Sequence, residues 1–191
     1  LSKIDDRAAL ERLPVLRKPE LLELQQAKPP FGGFVDPDAL EGARVFMSPG
    51  PIWEIQGAGA DPWQAARAFF AAGVRPGARV HNAFAYHMTP GGFVLDTGAR
   101  ALGCSVFPAG TGNTDMQVEA AEAFRPDVYA GTPDFLKIML ERADRDGRDL
   151  SSLRIGLVSG GALFPSLREE YRTWGINVLQ CYATAEFGVI A

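Results

Sequence analysis

Apolar residues follow two alternating rhythms along most of this chain. From Asp61 onward, short apolar runs alternate with stretches whose apolar positions recur every three to four residues. The first rhythm predicts buried strands and the second predicts helices packed by one face. Asp61 is read as an N-cap and Pro62 as the first helical residue, with Trp63, Ala66, Phe69 and Phe70 on the inner face and Gly73 as the stop. A strand is predicted over 78–85, a helix over 91–102 and a strand over 104–107. The loop 108–114, with Thr114 as a cap, leads to a helix over 115–124. A strand over 127–130 comes next. Thr132 then caps and Pro133 opens a helix whose stripe is Leu136, Met139, Leu140 and Ala143. A strand over 154–159, a glycine turn, a helix over 165–174 and a strand over 176–182 complete the series. This pattern predicts an α/β fold with a mainly parallel sheet of five to six strands flanked by helices.

The first part of the chain is less regular. "KPELLELQQ" (18–26) predicts a short helix with Pro19 in its first turn, and "AKPPFGGFVDPD" (27–38) is a Pro/Gly loop. We therefore expect a helical and loop segment over 1–42 and an α/β domain over 43–191. The chain starts at Leu1 without Met and is expected to be a fragment of something longer.

Composition narrows the function classes. Apolar residues make up 47% and charged residues 22%, which allows a sizeable core. The net charge of -4 gives no basic field for nucleic acid or acidic lipid. No apolar run approaches the roughly 20 residues of a membrane helix, and a cytoplasmic location is expected. Cys104 and Cys181 lie in separate apolar stretches and read as free buried thiols. His81 and His87 lack the company that zinc requires and read as structural or pocket-wall residues.

In open α/β sheets, ligands collect beyond the carboxyl ends of the strands. The loops there are "YHMTPGGF", "PAGTGNT", "GTPDF", "GGALFP" and "ATAEFG". Singly they are weak. "GTGNTD" (110–115) lacks the third glycine of a dinucleotide turn. "SGGA" (159–162) lacks the order of a serine-hydrolase elbow. Glu186 alone reads as an acid favoured by a helix N-terminus.

Together, and in order, these stretches resemble the phenylacetate–CoA ligase group of the acyl-adenylate-forming, AMP-binding synthetases. The likeness rests on "PPFGGF" (29–34), 71–92, 102–117, "FRPDVYAGTPDF" (124–135), "SLRIGLVSGGALFP" (152–165) and "GINVLQCYATAEFG" (175–188). It covers nearly the whole chain and corresponds to much of the family's large N-terminal domain. It implies an enzyme that activates a carboxylic acid with ATP and Mg²⁺ and passes the acyl group from its adenylate to CoA. The implied partners are an aromatic acid, a nucleotide and CoA, with a homodimer by analogy. Matched onto the motif Tyr182–Ala183–Thr184–Ala185–Glu186, the resemblance makes Glu186 the catalytic, metal-binding carboxylate and Tyr182 the residue packing on adenine. It places Ser48, Gly50, Gly160, Gly161, Ala162, Ala183, Thr184 and Ala185 along the nucleotide. Tyr86, His87, Gly91 and Gly92 would wall the acid pocket.

Three departures bear on ATP. In "ARVFMSPGPIWEIQG" (43–57), where the family has a small, hydroxyl-rich loop ending in Gly-Lys-Pro, Ser48 and Gly50 are kept. Pro49 and Pro51 offer no N–H, Ile52 and Trp53 are bulky, Glu54 is acidic, and no lysine occurs over 45–57. Ala185 and Ala183 replace the motif's hydroxyl residue and glycine. The family's adenylation lysine has no match at Lys3, Lys18, Lys28 or Lys137. The alternative is a protein that keeps the fold and the acyl pocket without ATP chemistry. An unrelated nucleotide or nicotinamide protein is disfavoured, because no strand is followed by a GxGxxG turn.

Overall fold

A computed structural model of the chain describes residues 4–191; Lys3 lies outside the described residues. The N-terminal part contributes α1 (Arg7–Glu11) and α2 (Lys18–Ala27). Pro19 sits in the first turn of α2, where a missing N–H costs nothing. The stretch 43–57 forms an antiparallel hairpin of β1 (Val45–Ser48) and β2 (Ile52–Ile55), paired in register from Val45–Ile55 to Ser48–Ile52. The periodicity did not predict it, since two four-residue arms are too short to show alternation.

The α/β part then runs α3 (Ala65–Ala71), β3 (Arg79–Asn82), α4 (Gly91–Ala101), β4 (Ser105–Phe107), α5 (Thr114–Phe124), β5 (Val128–Gly131), α6 (Pro133–Asp146), β6 (Ile155–Val158), α7 (Pro165–Thr173) and β7 (Asn177–Gln180). A small hairpin of β8 (Ala183–Thr184) and β9 (Gly188–Val189) ends it. Strands β4-β3-β5-β6-β7 form one five-stranded, wholly parallel sheet in that order. The strand order reverses between β3 and β5, the kind of crevice where open α/β sheets take ligands.

Alternation along β5 sends Val128 and Ala130 to one face of the sheet and Tyr129 to the other. The first face packs on α3 and α4 through Phe69, Leu95 and Ala99. The second packs on α5, α6 and α7 through Val118, Leu136, Met139 and Tyr171. The predicted stripe of α6, Leu136, Met139, Leu140 and Ala143, is buried as a unit.

Two helix starts differ from the sequence reading. Asp61 does cap α3, but from further back. Its carboxylate accepts from the N–H of Ala65 at 2.9 Å and of Ala66 at 2.8 Å. Pro62 and Trp63 form a turn, and Gln64 adopts a left-handed φ of 58°, so the helix begins only at Ala65. Similarly, Asn113, with φ 49°, precedes α5, and Thr114 is its first residue rather than its cap. Asparagine tolerates that conformation better than most side chains.

Candidate functional site

A cleft of about 510 Å³ opens beyond the carboxyl ends of the strands. That lies in the range of about 300–1,000 Å³ common for small-molecule sites. Phe84, Thr89, Pro90, Gly91, Val94 and Leu95 form one wall, following β3 and opening α4. Ser159, Gly160, Cys181 and Ala183–Ala185 form the other, and Ser48 and Pro49 of the hairpin reach its rim. The lining is overwhelmingly apolar, so the cleft offers an aryl or alkyl group a dry surface.

Each wall is fixed by hydrogen bonds, buried on the first and more exposed on the second. Asn82, fully buried at the end of β3, donates from Nδ2 to the Gly92 carbonyl at 2.9 Å and to the Tyr86 hydroxyl at 2.6 Å. Tyr86 donates onward to Asp96 at 3.2 Å. These bonds fold 83–92 back over α4, and Gly92 is the close contact. A Cβ there would lie 2.6 Å from the Ala85 carbonyl oxygen. On the other side Ser159 Oγ donates to the Cys181 carbonyl at 2.9 Å. Gln180 clasps the 161–163 turn by donating to Gly161 O and accepting from Leu163 N–H. Gly160 turns with φ 71°, a conformation that favours glycine. The hairpin is tied to the loop before the first wall by Met47 N–H donating to Met88 O at 2.9 Å.

The cleft thus gathers Ser48, Gly91, Gly160, Ala183, Thr184 and Ala185 from among the expected site residues. Gly50, Gly161 and Ala162 lie outside its lining, on the turns that border it. Tyr86 is spent on Asn82, Asp96 and the edge of the Phe93 ring. Burial, then the Asp96 carboxylate, pushes the Tyr86 phenol well above its ordinary pKa. His87 is exposed, and Tyr182 is 62% exposed beside the cleft. Phe84, Val94, Leu95, Ser159 and Cys181 line the wall without having been expected there. Asn82, a polar residue ending an apolar strand, was the available signal. Cys104 and Cys181 are free and buried, as expected.

Glu186 sits on the turn between β8 and β9, held to the body by Trp63 Nε1 donating to Ala185 O at 3.2 Å. Its carboxylate is paired with Lys18 Nζ of α2 at 2.7 Å. Partial burial pushes the Glu186 pKa up, and the Lys18 ammonium foremost outweighs this, leaving it below the usual carboxylate value. Helix α2 is set in place by a reciprocal pair of bonds. Gln25 Nε2 donates to Trp53 O and Trp53 N–H donates to Gln25 Oε1, both at 2.8 Å. Ser48 donates to Glu54 Oε1 at 2.8 Å, and Glu54 Oε2 is buried without a partner. Burial first, with the nearby Glu186 adding to it, raises the Glu54 pKa.

The residues present do not fit a metal-bound triphosphate at this rim. The Ser48 hydroxyl is committed to Glu54, Glu54 brings an unpartnered carboxylate oxygen, and Glu186 is held by Lys18. Among the described residues no group of three or more His, Cys, Asp or Glu could hold a metal ion.

A five-stranded parallel sheet flanked by helices, with an apolar cleft beyond the carboxyl ends of its strands, matches solved structures of an acyl-CoA ligase. The likeness extends over the whole chain. A crystal structure of 2-hydroxyisobutyryl-CoA ligase in an open conformation, with 2-HIB-AMP and CoA, superposes with a TM-score of 0.81 at 26% identity, over 98% of this chain and 46% of that one. The same ligase in its postadenylation state gives 0.82 at 27% identity, over 98% of this chain and 42% of that one. The AMP-binding enzyme family matches residues 85–191, and the chain belongs to it. Curated relatives include the phenylacetate-coenzyme A ligase of Aromatoleum evansii, 32% identical over 168 residues, covering 82% of this chain and 38% of that protein. The phenylacetate-coenzyme A ligase of Thermus thermophilus is 35% identical over 145 residues, covering 72% of this chain and 32% of that protein. The chain spans about a third of the length of these relatives.

Proposed function

We propose that this chain carries the acyl-group site of an acyl-CoA ligase-type protein, and that the cleft receives an aromatic, phenylacetate-like carboxylic acid. The observation that carries this reading is the apolar wall of Pro90, Val94 and Leu95, closed at one end by Phe84 and lined elsewhere by the small residue Ala183. A phenyl ring buried there gains its area in hydrophobic stabilisation, and a short side chain such as Ala183 takes up little of the cleft. The relatives named as phenylacetate-coenzyme A ligases support the same acid class. In the ligase reading the whole protein joins that acid to CoA at the expense of ATP.

A second reading, an acyl-binding protein without ATP chemistry, is favoured by one observation. The Ser48–Glu54 hydrogen bond closes the hairpin turn on itself. Both readings share the acid site and part at ATP. Calorimetric titration of the full-length protein with a panel of aryl and alkyl acids tests the shared part, with phenylacetate expected among the tightest. Acid-dependent exchange between ATP and pyrophosphate then decides between them. Exchange supports the ligase, and acid binding without exchange supports the second reading. No binding across the panel overturns both.

A further inference from the structure

We propose that Glu54 is a specificity-determining residue of the hairpin rim, making the cleft select a carboxylic acid and reject a metal-bound polyphosphate. The proposal rests on the acid-binding site that both functional readings share. Glu54 lies on β2, two positions beyond Ile52, the register partner of Ser48, and Ser48 is 5% exposed at the cleft rim. The Ser48 Oγ–H is directed at Glu54 Oε1 at 2.8 Å, with the Ile52 carbonyl further off at 3.4 Å. The hydroxyl that faces the cleft is therefore already donated. The rest of the turn has little to add. Pro49 and Pro51 have no N–H, and the Trp53 N–H is given to Gln25. A polyphosphate arriving here meets few donors where several are needed to replace its water.

Charge acts in the same direction. Lys18, Glu54 and Glu186 are near neighbours, one cation among two carboxylates. The cation is engaged with Glu186 at 2.7 Å, and Glu54 keeps Oε2 buried and without a hydrogen-bond partner. A ligand whose charge lies at this rim is repelled by that carboxylate. An acid whose apolar body fills the wall of Phe84, Val94 and Leu95 brings one charge at most. Polyphosphate brings several, and each of them placed at this rim would face Glu54.

The test is calorimetric titration of the full-length protein with Mg-ATP and, separately, with phenylacetate. It compares the native protein with Glu54→Gln, Glu54→Lys and Lys18→Arg. Native protein is expected to bind Mg-ATP weakly. Glu54→Gln should tighten it by about fivefold and Glu54→Lys by about tenfold or more, as expected for removing and then reversing one close like charge. Phenylacetate affinity should stay within about twofold, because the acid's body lies on the far wall. Lys18→Arg keeps the ion pair and should match the native protein. If Glu54→Lys does not fold, the isosteric Glu54→Gln decides alone. The proposal is overturned if neither Glu54 variant binds Mg-ATP more tightly than native. It is also overturned if phenylacetate affinity changes as much as Mg-ATP affinity. Failure of phenylacetate to bind any variant, with the Mg-ATP gain intact, overturns the acid site and leaves the rim assignment standing.

Discussion

Gly98 is where helices α3 and α4 come closest, and adding one methyl group there measures how tightly the cleft's apolar wall is seated. A Cβ at this position would lie 2.5 Å from Ala65 Cβ and 2.7 Å from both Ala65 C and Ala66 N. That is about 1 Å inside the ~3.5–4.0 Å optimum for such atoms. Two of the three neighbours are backbone and cannot turn aside, so the helices must separate. Overpacking of this kind costs roughly 1–3 kcal/mol. Replacing glycine by alanine inside a helix returns about 1 kcal/mol. With backbone as the obstacle, the upper part of the packing range applies, and Gly98→Ala should lose about 1–2 kcal/mol net. In a chain of this size that lowers Tm by about 3–6 °C. Gly91→Ala is the matched control on the same helix, since its Cβ would meet Phe84 Cδ1 at an ordinary 3.7 Å. Thermal unfolding of both variants followed by circular dichroism is the assay. A Gly98→Ala protein melting at or above the native temperature would refute the close seating of α4 on α3.

Three further outcomes follow from buried polar contacts. His81 Nε2–H donates to Gln117 Oε1 at 2.8 Å, while its Nδ1 is buried without a partner, and burial holds its pKa below the ordinary value near 6.5. The unfolded chain therefore takes up the proton first. Stability should be full above pH ~6.5 and fall as pH drops toward the depressed folded value, and urea unfolding from pH 7.5 to 5 checks this against His81→Gln. Tyr171→Phe leaves the Pro133 carbonyl without the hydroxyl now bonded to it at 2.5 Å and should cost about 1–3 kcal/mol by the same denaturation. Asp61→Ala frees two N–H groups at the start of α3 and should cost about 1–2 kcal/mol, with the Asn variant retaining most of the stability.

The parallel sheet was legible because its strands are short apolar runs separated by amphipathic helices, and β5, buried at all four positions, is the extreme case. Helix ends were less so, because Asp61 caps through a turn that sequence spacing alone reads as helix. The cleft was legible as a set of strand-end loops, and Gly91, Gly160 and Ala183–Ala185 do meet there. What could not be read was which side chains turn inward. Tyr86 has the chemistry of an aromatic wall, yet Asn82 and Asp96 draw its hydroxyl away. Nor could spacing reveal that Lys18 meets Glu186, 168 positions later, since α2 is delivered there by Gln25 and Trp53.

Acid binding in the apolar cleft is the claim on which the functional account stands, and Val94 tests it most directly. Its side chain lines the cleft from α4 and is 6% exposed. Phenylalanine there fills the space assigned to the ligand's ring. Full-length native and Val94→Phe proteins with matching melting curves are to be titrated with phenylacetate in a calorimeter. The account predicts at least about a tenfold loss of affinity, the scale of ~1.4 kcal/mol expected when a ring loses its pocket. An unchanged Kd in the folded variant would place the acid elsewhere and contradict the account.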